Sequence, residues 1–396
     1  MNVLFLTHRL PYAPNRGDRV RAYFLLRELR RHADVTLVSL VHDEDEASHA
    51  SSLRDLVSST YVVRVPAWRN RIRSLAALPT QRPTTHTMLD APELRSTIAT
   101  AVATSPPDVV FAYCSGIAPC ALEPPLAERP LLIDMVDVDS AKWAALAAVT
   151  RWPLSWVYRR EARTLRAFEA VISTRAVATL ITTEREAETL RAIAPTARVD
   201  VVENGIDVAS LRPQTPPAPS SDVVFCGVMN YAPNEQAVLW LAQSIWPRVR
   251  ARRSDATLTV VGSHPTRAIQ SLASDAQGIR ITGAVPDVRP YLWRAAVAVA
   301  PILTARGIQN KVLEAVAAGL PTVVTPNIMS SLPATIADAC VAAETADALA
   351  DAIVGLLEHS PEQRRALAAR AHVDALTWER QLARVPEILA EAARRR

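Results

Sequence analysis

Short apolar runs recur along the chain at residues 3–6, 35–40, 61–65, 109–113, 131–136 and 177–181, and stretches of helical periodicity separate them. Apolar runs of strand length alternating with 3.6-residue periodicity predict parallel strands wound with helices on both faces, an α/β sheet. The first such unit is a strand, a loop over residues 8–18, a helix to about Arg31 with Val20, Phe24 and Leu25 inward, and a second strand. Asp18 is placed to cap that helix. The same alternation resumes with apolar runs at 223–226, 257–262, 279–283 and 296–302, then helical patterns at 346–357 and 362–375, and a last helix near Thr377. Between the two series, residues 211–221 (LRPQTPPAPSS) hold four prolines and no apolar periodicity, which reads as a linker. The expected division is residues 1–205, a linker at 206–222, a second domain at 223–376 and a closing helix at 377–396.

One stretch, residues 299–326 (VAPILTARGIQNKVLEAVAAGLPTVVTP), organises the second half. Its apolar start is a strand, Arg306 and Gly307 lie in a polar turn, and Val312, Leu313 and Val316 share one face of a helix. Gly319 and Pro321 stop that helix before another strand. A glycine directly before a helix lets a ligand approach first-turn N–H groups that have no partners of their own. With the positive end of the helix dipole they form an anion site. Arg306 and Lys311 add two cations there, and Glu314 lies one turn on, where a carboxylate suits sugar hydroxyls. Strand–glycine–helix turns are common in α/β proteins, however, and most bind nothing.

Composition sharpens this reading. Lysine and arginine together number 44, yet only Lys142 and Lys311 are lysines. A compact ammonium in a chain that otherwise uses arginine suits a phosphate that wants a point charge. The 396 residues are long for one core and suit two domains. The formal charge of +4 is too small and scattered to argue for nucleic acid, and agrees with acidic substrates or an anionic membrane surface. Four cysteines without CxxC or zinc spacing read as buried thiols of a reducing cytoplasm. No apolar run approaches the ~20 residues of a spanning helix, and the N-terminus shows no basic leader, so the expectation is a cytoplasmic protein, soluble or peripheral. The loop at 8–18 lacks GxGxxG, which disfavours NAD.

The RGIQNKVLEA segment at 306–315 resembles the donor-site signature of retaining GT-B glycosyltransferases of family 4, and is most similar to exopolysaccharide sugar transferases associated with PEP-CTERM/exosortase systems. The NGID segment at 204–207 resembles that family's interdomain crossover. The resemblance implies two Rossmann-like doubly wound domains facing a central cleft, with the C-terminal helix crossing back to the N-terminal domain and Trp378 as a packing anchor. It also implies a retaining transfer from a UDP- or GDP-linked sugar to a glycan or polyprenyl-diphosphate-linked acceptor, without cofactor or metal. The family carries two glutamates with seven residues between them. The second matches Glu314, expected on the nucleotide ribose; the first is Arg306 here, which leaves Arg306 to serve the diphosphate with Lys311. Gly307 and Ile308 belong to the same donor site.

By the same resemblance, Gly17 and Asp18 match a loop near donor phosphate and acceptor. Asp137, in the VDVDS segment beyond a strand end, is expected to contact the transferred sugar. Asp134, Asp137 and Asp139 also suggest a divalent metal by type alone, but hydrogen-bonding loop acids are commoner. Gly227 and Asn230, in the loop after the second domain's first strand, are expected donor contacts, and Val285 is expected to offer backbone groups to the base. The segments 60–83 and 151–166 combine arginines with aromatic residues. Each reads as an anionic-membrane or acceptor contact, or as a solvated helix face with its aromatics in the core. Two other functions share the fold: a nucleotide-sugar 2-epimerase, and a nucleotide-sugar-binding relative without turnover.

Overall fold

The computed structural model describes residues 1–13, 17–215, 219–303 and 309–395. It divides into two compact units, Met1–Gly205 with Trp378–Arg396, and Ile206–Thr377. Each is built on a parallel sheet.

The first sheet has seven strands: β1 (Asn2–Thr7), β2 (Asp34–Val41), β3 (Ser59–Arg64), β4 (Val109–Tyr113), β5 (Leu131–Val136), β6 (Ala178–Ile181) and β7 (Val199–Val201). Their order is β3-β2-β1-β4-β5-β6-β7. The middle of β1 (residues 3–6) and all of β4 are buried because helices cover both faces, which is why they read as apolar runs and not as alternation. On one face, Leu25, Leu26 and Leu29 of the helix Gly17–His32 pack with Ile388, Leu389 and Ala392 of the helix Val385–Arg394. The returning C-terminal segment is therefore part of the first unit's core. Trp378 anchors it, 3% exposed and stacked on Phe24 at 4.8 Å. Gly205 makes this possible, since a Cβ there would stand 2.5 Å from the Trp378 Cα. Removing the indole would cost roughly 3–5 kcal/mol.

The second sheet has six strands: β8 (Asp222–Cys226), β9 (Thr257–Val261), β10 (Ile279–Ile281), β11 (Val297–Ala300), β12 (Thr322–Val324) and β13 (Cys340–Ala342), in the order β10-β9-β8-β11-β12-β13. The strand order reverses between β8 and β11, which pair from Val223↔Val297. In an open α/β sheet the crevice beyond the C-terminal ends at such a reversal is where ligands bind. The helix Asn310–Ala317 follows β11 and buries Val312, Leu313 and Val316.

Three local expectations change. Within 206–222, Val208–Leu211 is a helix capped by Asp207, with Val208 and Leu211 buried in the second unit's core, so this part is no free linker. The helix expected at 362–375 ends at Ala368, and a 3-10 turn, Val373–Leu376, follows. The first helix already begins at Gly17, so Asp18 lies in its first turn and not at the cap position.

Candidate donor site at the sheet reversal of the second unit

β8 ends at Cys226, and the chain turns through Gly227 into the helix Ala232–Trp240. The turn is tight. Gly227 donates its N–H to the Val261 carbonyl at 3.0 Å, and Met229 to that of Ser263 at 2.9 Å. A Cβ on Gly262 would meet the Gly227 carbonyl oxygen at 1.6 Å, so a glycine there is a steric requirement. Asn234 is buried and closes the loop from inside, donating Nδ2 to the Val228 carbonyl at 2.9 Å.

Lys311 reaches into this loop from the first turn of the helix Asn310–Ala317. Its Nζ donates to Asn234 Oδ1 and lies 5.2 Å from the centre of the Phe225 ring. A Cβ added at Gly227 would stand 3.4 Å from the same Nζ. The ammonium is thus set under the glycine loop, between an amide oxygen and an aromatic face. Burial lowers its pKa to about 8, although Cys226 and Glu314 act the other way. A cation in a first turn opposes the helix dipole, and no acid in that turn offsets it. Such a local inconsistency is what functional sites show.

Glu314, at i+3, is half-buried, and among the described residues its carboxylate accepts no hydrogen bond. Burial raises its pKa to about 7, against the pull of Lys311. The Cys226 thiol beside them is pushed up to about 12 by burial and stays neutral. The pocket therefore holds one desolvated cation and one acid that changes charge near neutrality. An anion with a neighbouring hydroxyl donor matches both.

The other expected contacts are distributed differently. Gly227 lies at the site. Asn230 is exposed, and the asparagine against Lys311 is Asn234, which the motif spacing did not single out. Val285 lines a separate open groove of about 610 Å³ with Thr282, Asp287 and Tyr291, which includes neither Lys311 nor Gly227. Arg306, Gly307 and Ile308 lie outside the described residues, as does the side chain of Asp18.

In the first unit, three acids follow one another at the end of β5 with different partners. Asp134 is fully buried; it accepts from Arg21 Nε at 2.8 Å, and burial still raises its pKa. Arg21 also holds the crossover, through Asn204 Oδ1 at 3.0 Å. Asp137 pairs with Lys142 at 2.8 Å and accepts from Thr182 Oγ1 at 3.3 Å. Asp139 accepts from Ser115 Oγ at 2.6 Å. Among the described residues no group of three or more His, Cys, Asp or Glu is arranged to hold a metal ion. Val136 and Cys114, at the ends of β5 and β4, have φ of +67° and +69°. For a β-branched residue this conformation is strained, at about 1–3 kcal/mol, and it sets the direction in which the chain enters Asp137.

Known proteins bear on these two units. Residues 220–359 match the family described as glycosyl transferases group 1. No curated protein sequence matches the chain. Solved structures match over essentially the whole length at low identity. Sucrose-phosphate synthase from Thermosynechococcus elongatus is 16% identical with a TM-score of 0.67, each chain covered in full. HepE of Anabaena in complex with UDP is 14% identical with a TM-score of 0.65, over 99% of this chain and 100% of that one. An E. coli trehalose-6-phosphate structure bound with UDP-2-fluoro glucose is 11% identical with a TM-score of 0.63, over 98% and 99%. The fold is GT-B, and with the matched domain it defines the class: a glycosyltransferase. The matched domain contains the Lys311 pocket.

Proposed function

We propose that the protein transfers a sugar from a nucleoside-diphosphate sugar, with retention at the anomeric carbon, to a glycan or polyprenyl-diphosphate-linked acceptor in exopolysaccharide biosynthesis. The observation that carries the donor reading is Lys311, a desolvated ammonium under a glycine loop at the sheet reversal of the glycosyl transferases group 1 domain. Uridine is favoured as the base because HepE, of like fold, binds UDP and UDP-glucose.

In this reading the C1–O bond to the diphosphate breaks as the sugar gains oxocarbenium character. Lys311 neutralises charge on the departing diphosphate, most effectively because the site is partly dry. Glu314 accepts from the ribose hydroxyls, and Asp137 contacts sugar in the first unit. We assign neutralisation to protein cations, including Arg306, without a bound metal; EDTA is expected to leave turnover unchanged, and loss of turnover restored by a divalent ion would contradict that. The test of the donor is a thermal-shift screen of nucleotide sugars with the full chain. UDP-sugars are expected to raise the melting temperature with the logarithm of their concentration. No shift with any nucleoside diphosphate or its sugars would overturn the reading.

A further inference from the structure

The first unit carries a face that donor binding does not use. In the helix Ala67–Ala77, Trp68, Ile72 and Leu75 recur at i, i+4 and i+7 and are 70%, 63% and 68% exposed. Asn70, by contrast, is buried and donates Nδ2 to the carbonyls of Met88 at 3.1 Å and Asp90 at 2.6 Å. The helix is inside out: its amide faces the protein and its apolar stripe faces solvent.

A second exposed group adjoins it. The end of the helix Asp139–Val149, the turn after it and the start of the helix Leu154–Arg175 present Val149 (82% exposed), Trp152 (81%) and Trp156 (53%) respectively. The aromatics of 151–166 are thus largely outside, not in the core. Arg160, one turn past Trp156, is buried and fastens the two regions. Its guanidinium donates to the carbonyls of Ala77 (2.8 Å), Leu78 (3.0 Å), Thr80 and Arg82 (both 2.7 Å), at the end of the inverted helix.

The charge around these residues is in part matched: Arg64 pairs with Glu44, Arg73 and Arg82 with Asp90, and Lys142 with Asp137 and Asp139. Residues 60–89 hold five arginines, residues 140–160 three arginines and Lys142, and neither stretch contains an acid. Arg69, Arg71 and Arg151 are exposed and have no ion-pair partner among the described residues. No described helix is long and apolar enough to cross a membrane.

We propose that this face seats the protein on an anionic phospholipid bilayer. The tryptophans, Ile72 and Leu75 enter the boundary between headgroups and acyl chains, and the unpaired guanidiniums meet lipid phosphates. Charge complementarity selects this occupant over a second copy, because an isologous contact would set arginines against arginines. The test needs no nucleotide sugar, so it is independent of the donor assignment.

The full chain is sedimented with vesicles of phosphatidylglycerol and phosphatidylcholine, and with pure phosphatidylcholine, in low and high salt. Acidic vesicles are expected to bind at least about tenfold more strongly, with binding weakened by salt. W68S/I72S/L75S is expected to lose about tenfold or more, and R69Q/R71Q about fivefold per arginine. These side chains are exposed, so circular dichroism and melting should match wild type. W152S/W156S tests the same face from the other helix and should also lose binding. Equal binding to neutral vesicles, no vesicle binding, variants that bind like wild type, or a dimer abolished by the same substitutions without vesicle binding would each overturn the proposal.

Discussion

The chain's only two lysines each follow the C-terminal end of a strand, one per sheet, and their surroundings differ. Lys142, after β5, is exposed and touches Asp137 at 2.8 Å and Asp139 at 3.4 Å. Burial pulls its pKa down, but Asp139 and Asp137 outweigh that and the net shift is upward. Lys311, after β11, touches an amide oxygen and a ring, and among the described residues it pairs with no carboxylate. Burial dominates, and its pKa falls to about 8. A cation already flanked by two anions gains little from a third. A cation short of counter-charge gains most from an incoming diphosphate. The partners of a lysine, and not its sign, thus separate a group that orders its neighbours from one that awaits a ligand.

Substitutions break or sharpen this contrast. Lys311→Met keeps the stem and removes the charge; turnover should fall on the order of 10²–10³-fold with the fold retained. Steady-state kinetics with full activity would refute the role. Glu314→Gln should weaken nucleoside-diphosphate binding about tenfold at pH 8 and abolish its loss on acidification through about 7, measured by titration calorimetry. Asn234→Ala removes the acceptor that aims Lys311 and should cost about fivefold in the same affinity. Lys142→Gln should leave that affinity within about twofold while altering sugar transfer, because its charge is already met by Asp137 and Asp139.

How much of this was legible in the sequence depends on the range over which each feature is decided. The parallel strands were legible because double-sided burial makes them continuous apolar runs. β13 was not, being three residues at a sheet edge, two half-buried and one exposed. Lys311 and Glu314 were legible because i,i+3 spacing places them on one helix face and lysine is so rare here. Asn234 was not, since its contact with Lys311 spans 77 residues and depends on a loop folding back under Gly227. The exposure of Trp68 and Trp152 was equally hidden. Periodicity finds an apolar stripe but does not say which way it faces; Asn70 settles that only through the distant carbonyls of Met88 and Asp90.

The most direct test of the central claim is calorimetric titration of UDP into wild type and Lys311→Met between pH 6 and 9. The sign follows from the lysine: protonated below about 8, it binds the diphosphate, and above that value it loses its proton. Wild-type affinity should therefore decline by up to about tenfold per pH unit above 8, while the variant binds at least about tenfold more weakly and is flat above pH 8. Superimposable curves for the two proteins would contradict the assignment of the donor diphosphate to Lys311.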